Sequence, residues 1–158
     1  MKVKQIIDED FLNYKKASMV IAFPSCSFKC DKECGQQVCQ NSALAAAKDI
    51  EISIDDIIER YSNNVFTSAF VFGGLEPFDS LEDLKLLIIT IRVCYKIMDD
   101  IVIYTGYKPD EIPEIIQWLK QYENIIVKFG RFIPNSEHRF DEVLGIELSS
   151  NNQYAVKI

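Results

Sequence analysis

Four cysteines lie within fourteen residues of this chain, and reduced thiols this close together are typical of metal ligands. They are Cys26, Cys30, Cys34 and Cys39, whereas the one other cysteine, Cys94, lies in a distant apolar segment. A loop can wrap closely spaced sulfurs around one metal centre, while a helix projects only residues three and four positions apart onto one face. We therefore predict that residues 26–39, here called the cysteine loop, carry the chemistry, and that Cys94 is a small core residue.

The spacing of the thiols leaves three interpretations open. Four thiolates can form a closed tetrahedral zinc site, for which Cys26/Cys30 and Cys34/Cys39 are loosely spaced pairs. An iron–sulfur cluster also takes cysteine ligands, and a cluster with only three of them leaves one iron open for a substrate. The third interpretation is a loop of reduced cysteines without a metal. Zinc stabilises small modules that lack a core, whereas this chain is long enough to bury one.

Composition and charge restrict the class of protein and its partners. The chain has 158 residues and a net charge of −7, which predicts one globular domain over 1–158 and disfavours a nucleic-acid partner. Residues 1–5 lead into acidic residues rather than an apolar signal core, and no apolar stretch is long enough for a bilayer. We therefore expect a cytoplasmic protein without a membrane partner, in which clustered cysteines favour metal ligation over disulfides.

Alternating strands and helices are expected to position the cysteine loop. Continuous apolar runs predict strands at Ser18–Phe23, Ala69–Phe72, Ile101–Tyr104 and Asn124–Lys128. Apolar residues at helical spacing predict helices over Ile54–Tyr61, Leu81–Cys94 and Ile112–Leu119, with Ser53 and Ser80 available as N-caps of the first two. Apolar strands that alternate with helices indicate parallel β/α units covered on both faces.

Three segments follow the predicted strands directly. The cysteine loop follows the first strand, Gly73–Pro77 the second and Tyr104–Tyr107 the third. Sites in α/β folds lie beyond the carboxyl ends of the strands, so we expect these segments to meet. The predicted fold is α/β, a short, open partial (β/α) barrel with a mainly parallel sheet, because a full eight-unit barrel takes about 250 residues.

The three segments, in this order, resemble the radical S-adenosylmethionine superfamily. The matching runs are Cys26-Ser27-Phe28-Lys29-Cys30, Gly74-Leu75-Glu76-Pro77 and Tyr104-Thr105-Gly106-Tyr107. Within the superfamily the chain is most similar to the activating proteins of anaerobic ribonucleotide reductase. The later segments Gly130–Phe132 and Ser149–Gln153 share that similarity.

The cysteine pattern departs from C-x3-C-x2-C, which is usual in the superfamily. There the third cysteine often follows an apolar residue, and in members of this type an asparagine stands two positions after it. Cys39 follows Val38 and is followed by Asn41 in this way, so 31–38 is interpreted as a lengthened loop. The resemblance thus implies Cys26, Cys30 and Cys39 as the metal ligands. Cys34, which follows a charged residue, stays open as an alternative or additional ligand.

The turn after the second strand also departs from the family, which has two glycines where this chain has Gly74 and Leu75. In the family the backbone of this turn meets the amino group of S-adenosylmethionine, and glycine permits the close approach. The resemblance implies cofactor contacts at Gly74, Leu75, Glu76, Tyr104, Thr105 and Gly106. It assigns no catalytic side chain beyond the ligands of the cluster.

The resemblance implies an enzyme. Three thiolates would hold a 4Fe–4S cluster whose open iron binds S-adenosylmethionine, and one-electron reduction would release methionine and a 5′-deoxyadenosyl radical. The implied partners are a glycyl-radical enzyme, such as anaerobic ribonucleotide reductase, and an electron donor such as flavodoxin or ferredoxin. The alternative is an iron–sulfur electron carrier or zinc-binding adaptor on the same fold that does not cleave S-adenosylmethionine. Leu75 and the lengthened loop support that alternative.

Overall fold

The computed structural model describes all 158 residues, Met1–Ile158, which form ten strands and five α-helices. The strands are β1 (Lys2–Val3), β2 (Gln5–Asp10), β3 (Ser18–Phe23), β4 (Ile50–Glu51), β5 (Ala69–Gly74), β6 (Asp100–Tyr104), β7 (Ile125–Phe129), β8 (Arg139–Asp141), β9 (Ile146–Leu148) and β10 (Tyr154–Lys157). The α-helices are α1 (Lys29–Cys34), α2 (Ser42–Ala46), α3 (Ile54–Asn63), α4 (Leu81–Ile89) and α5 (Pro113–Leu119). None of these helices combines the length and the apolar character that a bilayer crossing requires.

A six-stranded sheet in the order β10-β7-β6-β5-β3-β2 organises the chain. Its four inner strands are mutually parallel, whereas the edge strands β2 and β10 run antiparallel to their neighbours. The α/β class is confirmed, and the expected mainly parallel sheet is corrected to a mixed one. The edge strands escaped prediction because each lacks the continuous apolar run of a strand buried on both faces. Barrel curvature stays a prediction.

The long helices cover only one face of this sheet. Buried side chains of α3, α4 and α5 pack with β3, β5, β6 and β7 in one cluster of 21 buried residues. The opposite face holds a smaller cluster of eight, in which Tyr14, Leu144 and Leu148 cover the strands in place of a helix. The expectation of helices on both faces is therefore wrong. The thin cover leaves space on this second face.

Local sequence determines how α3 begins. Ser53 precedes the helix, and its hydroxyl accepts a hydrogen bond from the backbone N–H of Asp56 at 3.0 Å. This is the predicted N-cap, which satisfies one of the backbone donors that a helix start leaves unpaired. The buried side chains of the helix are Ile57, Ile58 and Tyr61, in agreement with the predicted apolar stripe.

The next predicted helix, Leu81–Cys94, is present in a different form. It is α-helical only to Ile89 and continues as a π-helical turn over Thr90–Cys94. Ser80 stands at the predicted N-cap position, but its side chain makes no cap hydrogen bond there. The π turn changes the rotation per residue and takes Cys94 off the buried stripe, so that Cys94 is exposed rather than a core residue.

Candidate metal centre

A cavity of about 420 Å³ lies at the carboxyl ends of the four parallel strands. Its floor is a row of neighbouring positions on the thinly covered face, one from each strand: Ala22, Gly73, Tyr104 and Lys128. The two small residues leave room above β3 and β5. A larger depression of about 650 Å³ around Met1 and Glu51 contains no cysteine.

The three segments that follow the strands meet at this cavity. Its walls include Cys26, Cys30 and Cys39 from the cysteine loop, Gly74 at the end of β5 with Leu75 and Glu76 in the turn that begins there, and Thr105 and Gly106 after β6. Strand register brings them together, because Phe23 at the end of β3 lies beside Gly74 at the end of β5. All six residues for which the family resemblance implies cofactor contacts therefore line this cavity, including Tyr104 on its floor.

The four clustered cysteines are not equivalent. All are half-buried, but Cys34 does not line the cavity that the other three share. Burial is the main cause that raises the pKa of the Cys26 thiol to about 11, and a thiolate at Cys39 would add to this rise. Burial likewise raises the pKa of Cys30. Both thiols are thus protonated without a metal, and a bound metal would displace their protons.

The donor set fits an iron–sulfur cluster. No group of three or more Cys, His, Asp or Glu side chains is arranged to hold a single metal ion. Cys26, Cys30 and Cys39 stand around a wider space, as cysteines do when each binds a different iron of one cluster.

The first half of the cysteine loop is anchored to the residues that follow β5. Phe28 adopts a left-handed conformation (φ 52°) from which α1 begins, and its N–H points at Cys26 Sγ at 3.2 Å. The backbone N–H of Ser27 donates to the carboxylate of Asp79, which also accepts a hydrogen bond from the Tyr107 hydroxyl at 2.6 Å. Asp79 therefore joins the cysteine loop to the turn after β6, a role that the sequence did not indicate.

The second half of the loop is held by Asp31 and Asn41. One carboxylate oxygen of Asp31 accepts hydrogen bonds from the N–H groups of Val38 and Cys39, both at 2.8 Å. The side-chain amide of Asn41 donates to the carbonyl oxygen of Gly74 at 2.6 Å. Asn41, singled out in the sequence because it stands two positions after Cys39, thus connects the loop to the turn after β5.

Glycine is required at position 74. Its φ is +81°, and a Cβ there would collide with Ala22 on the neighbouring strand. The turn therefore packs directly against β3 and beside the cysteine loop. Leu75, which replaces the second glycine of the family pattern, contributes to the cavity wall.

Glu76 links two turns from inside the protein. Only 5% of the residue is exposed, and its carboxylate accepts the N–H of Gly106 at 2.8 Å and that of Phe78 at 3.2 Å. Burial is the main cause that raises the pKa of Glu76 to about 7, and these hydrogen bonds oppose the rise. Its carboxylate joins the turns after β5 and β6.

Two buried cations lie near Cys30. Lys128 and Arg131 are 7% and 5% exposed, and the positive charge of each lowers the pKa of the Cys30 thiol against the larger effect of burial. Burial lowers the pKa of Lys128 itself to about 8, and its ammonium has a single long hydrogen bond, of 3.3 Å, to Gly130 O. A lysine inside the apolar run of β7 was the signal that could have identified it.

Arg131 connects the cysteine loop to the segment before α5. One guanidinium nitrogen donates to both carboxylate oxygens of Glu111, at 2.7 and 2.9 Å, and this contact is the first cause that lowers the pKa of Glu111 to about 2. A second nitrogen lies 3.1 Å from the carboxylate of Glu33 on α1. That contact, made by Nη1, lacks hydrogen-bond geometry, so Nη1 has no hydrogen-bond partner. The Nε atom has none either. A buried positive charge with free donors thus stands close to Cys30.

Comparison with known proteins agrees with this donor set. A family model described as a 4Fe-4S single cluster domain matches residues 17–155. No curated protein and no solved structure gives a significant match. The matched span contains the cysteine loop and all four parallel strands that form the cavity floor.

Proposed function

This chain belongs to the family of 4Fe-4S single cluster domains, which are associated with radical S-adenosylmethionine proteins, and we propose that it cleaves S-adenosylmethionine reductively. Cys26, Cys30 and Cys39 would hold the cluster. The observation that carries the proposal is the cavity at the strand ends, which these thiols share with the turns after β5 and β6. A small molecule bound in this cavity would therefore lie beside the cluster.

Different residues around the cavity would bind different groups of S-adenosylmethionine. A bound and reduced cluster would supply one electron to the sulfonium of S-adenosylmethionine, which would split into methionine and a 5′-deoxyadenosyl radical. The turn at Gly74 offers backbone groups to the amino group of the cofactor. The Lys128 ammonium lines the cavity with one weak partner, so the carboxylate of an amino-acid cofactor would complete its hydrogen bonds.

A glycyl-radical protein, such as anaerobic ribonucleotide reductase, is the proposed recipient of the radical chemistry, with flavodoxin or ferredoxin as the electron donor. The cavity is open at a rim that includes the exposed residues Leu12 and Glu147. This rim supports a partner that covers the cavity during the reaction. The family resemblance supports the same partner through Gly130–Phe132 and Ser149–Gln153.

The decisive experiment starts with anaerobic reconstitution of the full chain with iron and sulfide. The reconstituted protein is reduced with S-adenosylmethionine present and assayed for 5′-deoxyadenosine, with Cys26→Ala as the control that lacks a ligand. We expect deoxyadenosine from the wild-type chain alone. Adding a candidate reductase should then produce a glycyl radical in the electron paramagnetic resonance spectrum. A full cluster without deoxyadenosine would contradict the proposed cleavage.

Leu75 favours a second candidate, an iron–sulfur electron carrier. Its side chain occupies the cavity wall where the family has glycine, and this reduces the space for S-adenosylmethionine. A carrier would take up and release one electron reversibly without cleaving S-adenosylmethionine. A zinc-binding adaptor would be colourless, so a brown protein after anaerobic purification rules out that form of the alternative.

A further inference from the structure

Eight residues separate Cys30 from Cys39, and the chain must reverse within them to bring both thiols to one cavity. Helix α1 takes the chain as far as Cys34 and ends at Gly35, whose φ of +67° turns the backbone. The residues from 36 to 39 then run back without secondary structure. Apolar packing contributes little to this return, since neither α1 nor 36–39 contains a fully buried residue.

The return is closed by Asp31. Its carboxylate oxygen Oδ1 accepts from the N–H groups of Val38 and Cys39 at 2.8 Å each. No backbone–backbone hydrogen bond joins 36–39 to α1, since the one that involves this segment runs from the N–H of Ser42 to the carbonyl oxygen of Cys39. The two hydrogen bonds to Asp31 therefore connect 36–39 to the helix. Asp31 directly follows Cys30, so a single side chain sets the position of one cysteine backbone relative to the other.

We propose that Asp31 is a positioning residue that selects Cys39, rather than Cys34, as the third ligand of the cluster. This inference rests on the proposed function, because it assumes a cluster ligated by Cys26 and Cys30. Cys34 lies on α1 and does not line the cavity, whereas Cys39 lines it while its backbone is bound to Asp31. The carboxylate also adds a negative charge beside the cluster, which disfavours the reduced state and makes the reduction potential more negative.

The test compares Asp31→Ala with Asp31→Asn in the reconstituted full chain. The alanine variant loses both hydrogen bonds, so we expect a chelator to remove iron about 10 to 100 times faster, as for other residues that orient metal ligands. The asparagine oxygen can still accept both N–H groups, so its rate should stay within about twofold of wild type. Because asparagine removes the charge, its cluster should have a more positive midpoint potential, which a purely structural role would not change.

Matched controls separate these effects from general changes of charge. Lys32→Ala alters an exposed side chain on the same helix, and Asp110→Asn removes an exposed carboxylate elsewhere. Neither should change the rate of iron loss or the potential. In the Asp31→Ala background, Cys34→Ala should remove the cluster that remains, although Cys34→Ala alone leaves the wild-type cluster in place.

Each outcome decides the matter. Iron loss at the wild-type rate from Asp31→Ala would overturn the inference, as would wild-type potential in Asp31→Asn or rapid iron loss from both variants. If circular dichroism shows that Asp31→Ala does not fold, the rate and potential of Asp31→Asn decide alone. A wild-type chain that takes up no cluster overturns the proposed function and this inference with it. A full cluster that fails to cleave S-adenosylmethionine overturns only the proposed cleavage, because the Asp31 readouts are iron release and potential.

Discussion

Partial or full burial affects the charge state of individual side chains at the cavity. The half-buried thiols of Cys26 and Cys30 keep their protons, the carboxylate of Glu76 accepts hydrogen bonds from backbone N–H groups, and Lys128 forms part of the cavity floor. A buried charge without a full set of partners destabilises the fold. Ligands that supply these partners should therefore bind tightly.

The identity of the metal ligands can be decided one cysteine at a time. We expect Cys26→Ala, Cys30→Ala and Cys39→Ala each to abolish cluster binding, because these three thiols line the cavity. Cys34→Ala should retain a full cluster, since Cys34 lies outside it. Iron and sulfide analysis of the four reconstituted variants measures this. A cluster that survives loss of Cys39 but not of Cys34 would show that the third ligand is the other cysteine.

Glu76 should make the stability of the metal-free chain depend on pH. Its pKa rises from 4.5 to about 7 on folding, so between these values the folded state holds a proton that the unfolded state has lost. This contribution to the free energy of unfolding is fully present below about pH 4.5 and is lost as pH rises through about 7. Wild type should therefore lose stability between about pH 5 and 7 relative to Glu76→Gln.

Denaturant unfolding at several pH values compares the two proteins, with Glu142→Gln as a control that changes an exposed carboxylate. The control should follow wild type. Parallel pH profiles for wild type and Glu76→Gln would contradict the raised pKa.

Lys128 is expected to bind the carboxylate of S-adenosylmethionine. Lys128→Met keeps a side chain of similar length but removes the charge, and a charge-assisted hydrogen bond contributes about 1.5–3 kcal/mol. The dissociation constant of the cluster-loaded protein should rise about tenfold or more, measured by titration calorimetry. Lys48→Met, at an exposed position, is the control. Equal affinity in the Lys128 variant would remove the ammonium from the cofactor site.

At the scale of elements, the turn after β5 determines whether the cysteine loop can dock. Gly74 approaches Ala22 on β3 and accepts a hydrogen bond from Asn41. The turn therefore needs both a left-handed backbone and the absence of a side chain.

Two glycine variants separate these requirements. Gly35 has a similar φ of +67° but open space where a Cβ would stand, so Gly35→Ala should cost about 1–2 kcal/mol from the backbone conformation alone. Gly74→Ala adds a collision with the backbone of Ala22 and should cost about 3 kcal/mol or more. Chemical denaturation measures both. Equal losses would mean that β3 and the turn adjust without strain.

For the whole molecule, the cysteine loop and the helix after it receive little support from the core. Helices α1 and α2 contain no buried residue, whereas α3 and α4 each contain three. Segments with few buried contacts open most easily. The loop and α2 are thus expected to depend on the cluster for their stability.

Cluster removal should therefore loosen one region and leave the rest unchanged. We expect amide hydrogen exchange over 26–46 to become about tenfold faster or more when a chelator removes the cluster, because metal binding contributes directly to folding free energy. Exchange in β5 and β6, within the larger core, should not change. Uniform acceleration along the chain would contradict this division and indicate that the cluster stabilises the whole sheet.

The sequence by itself determined the four parallel strands, the α/β class and the cysteine loop at the strand ends. From Met19 to Phe23 the sequence is continuously apolar because β3 is largely buried on both faces, and such a run is recognisable without any tertiary information. The family resemblance singled out Cys39 through Val38 and Asn41, which are its neighbours in the chain. The ligand roles themselves stay predictions.

Only the tertiary structure decided which polar groups surround the cavity and which way the edge strands run. The Asp79 carboxylate binds Ser27, 52 residues away, and the Asn41 amide binds Gly74 across 33 residues. Lys128 is recognisable in the sequence as a charged residue within an apolar run, but only the fold shows that Lys128 and Arg131 lie close to Cys30. These hydrogen bonds and buried charges depend on partners that are distant in the chain, so local residue patterns do not predict them. Burial of a strand on both faces, by contrast, selects apolar residues along the strand itself and is therefore visible in the local sequence.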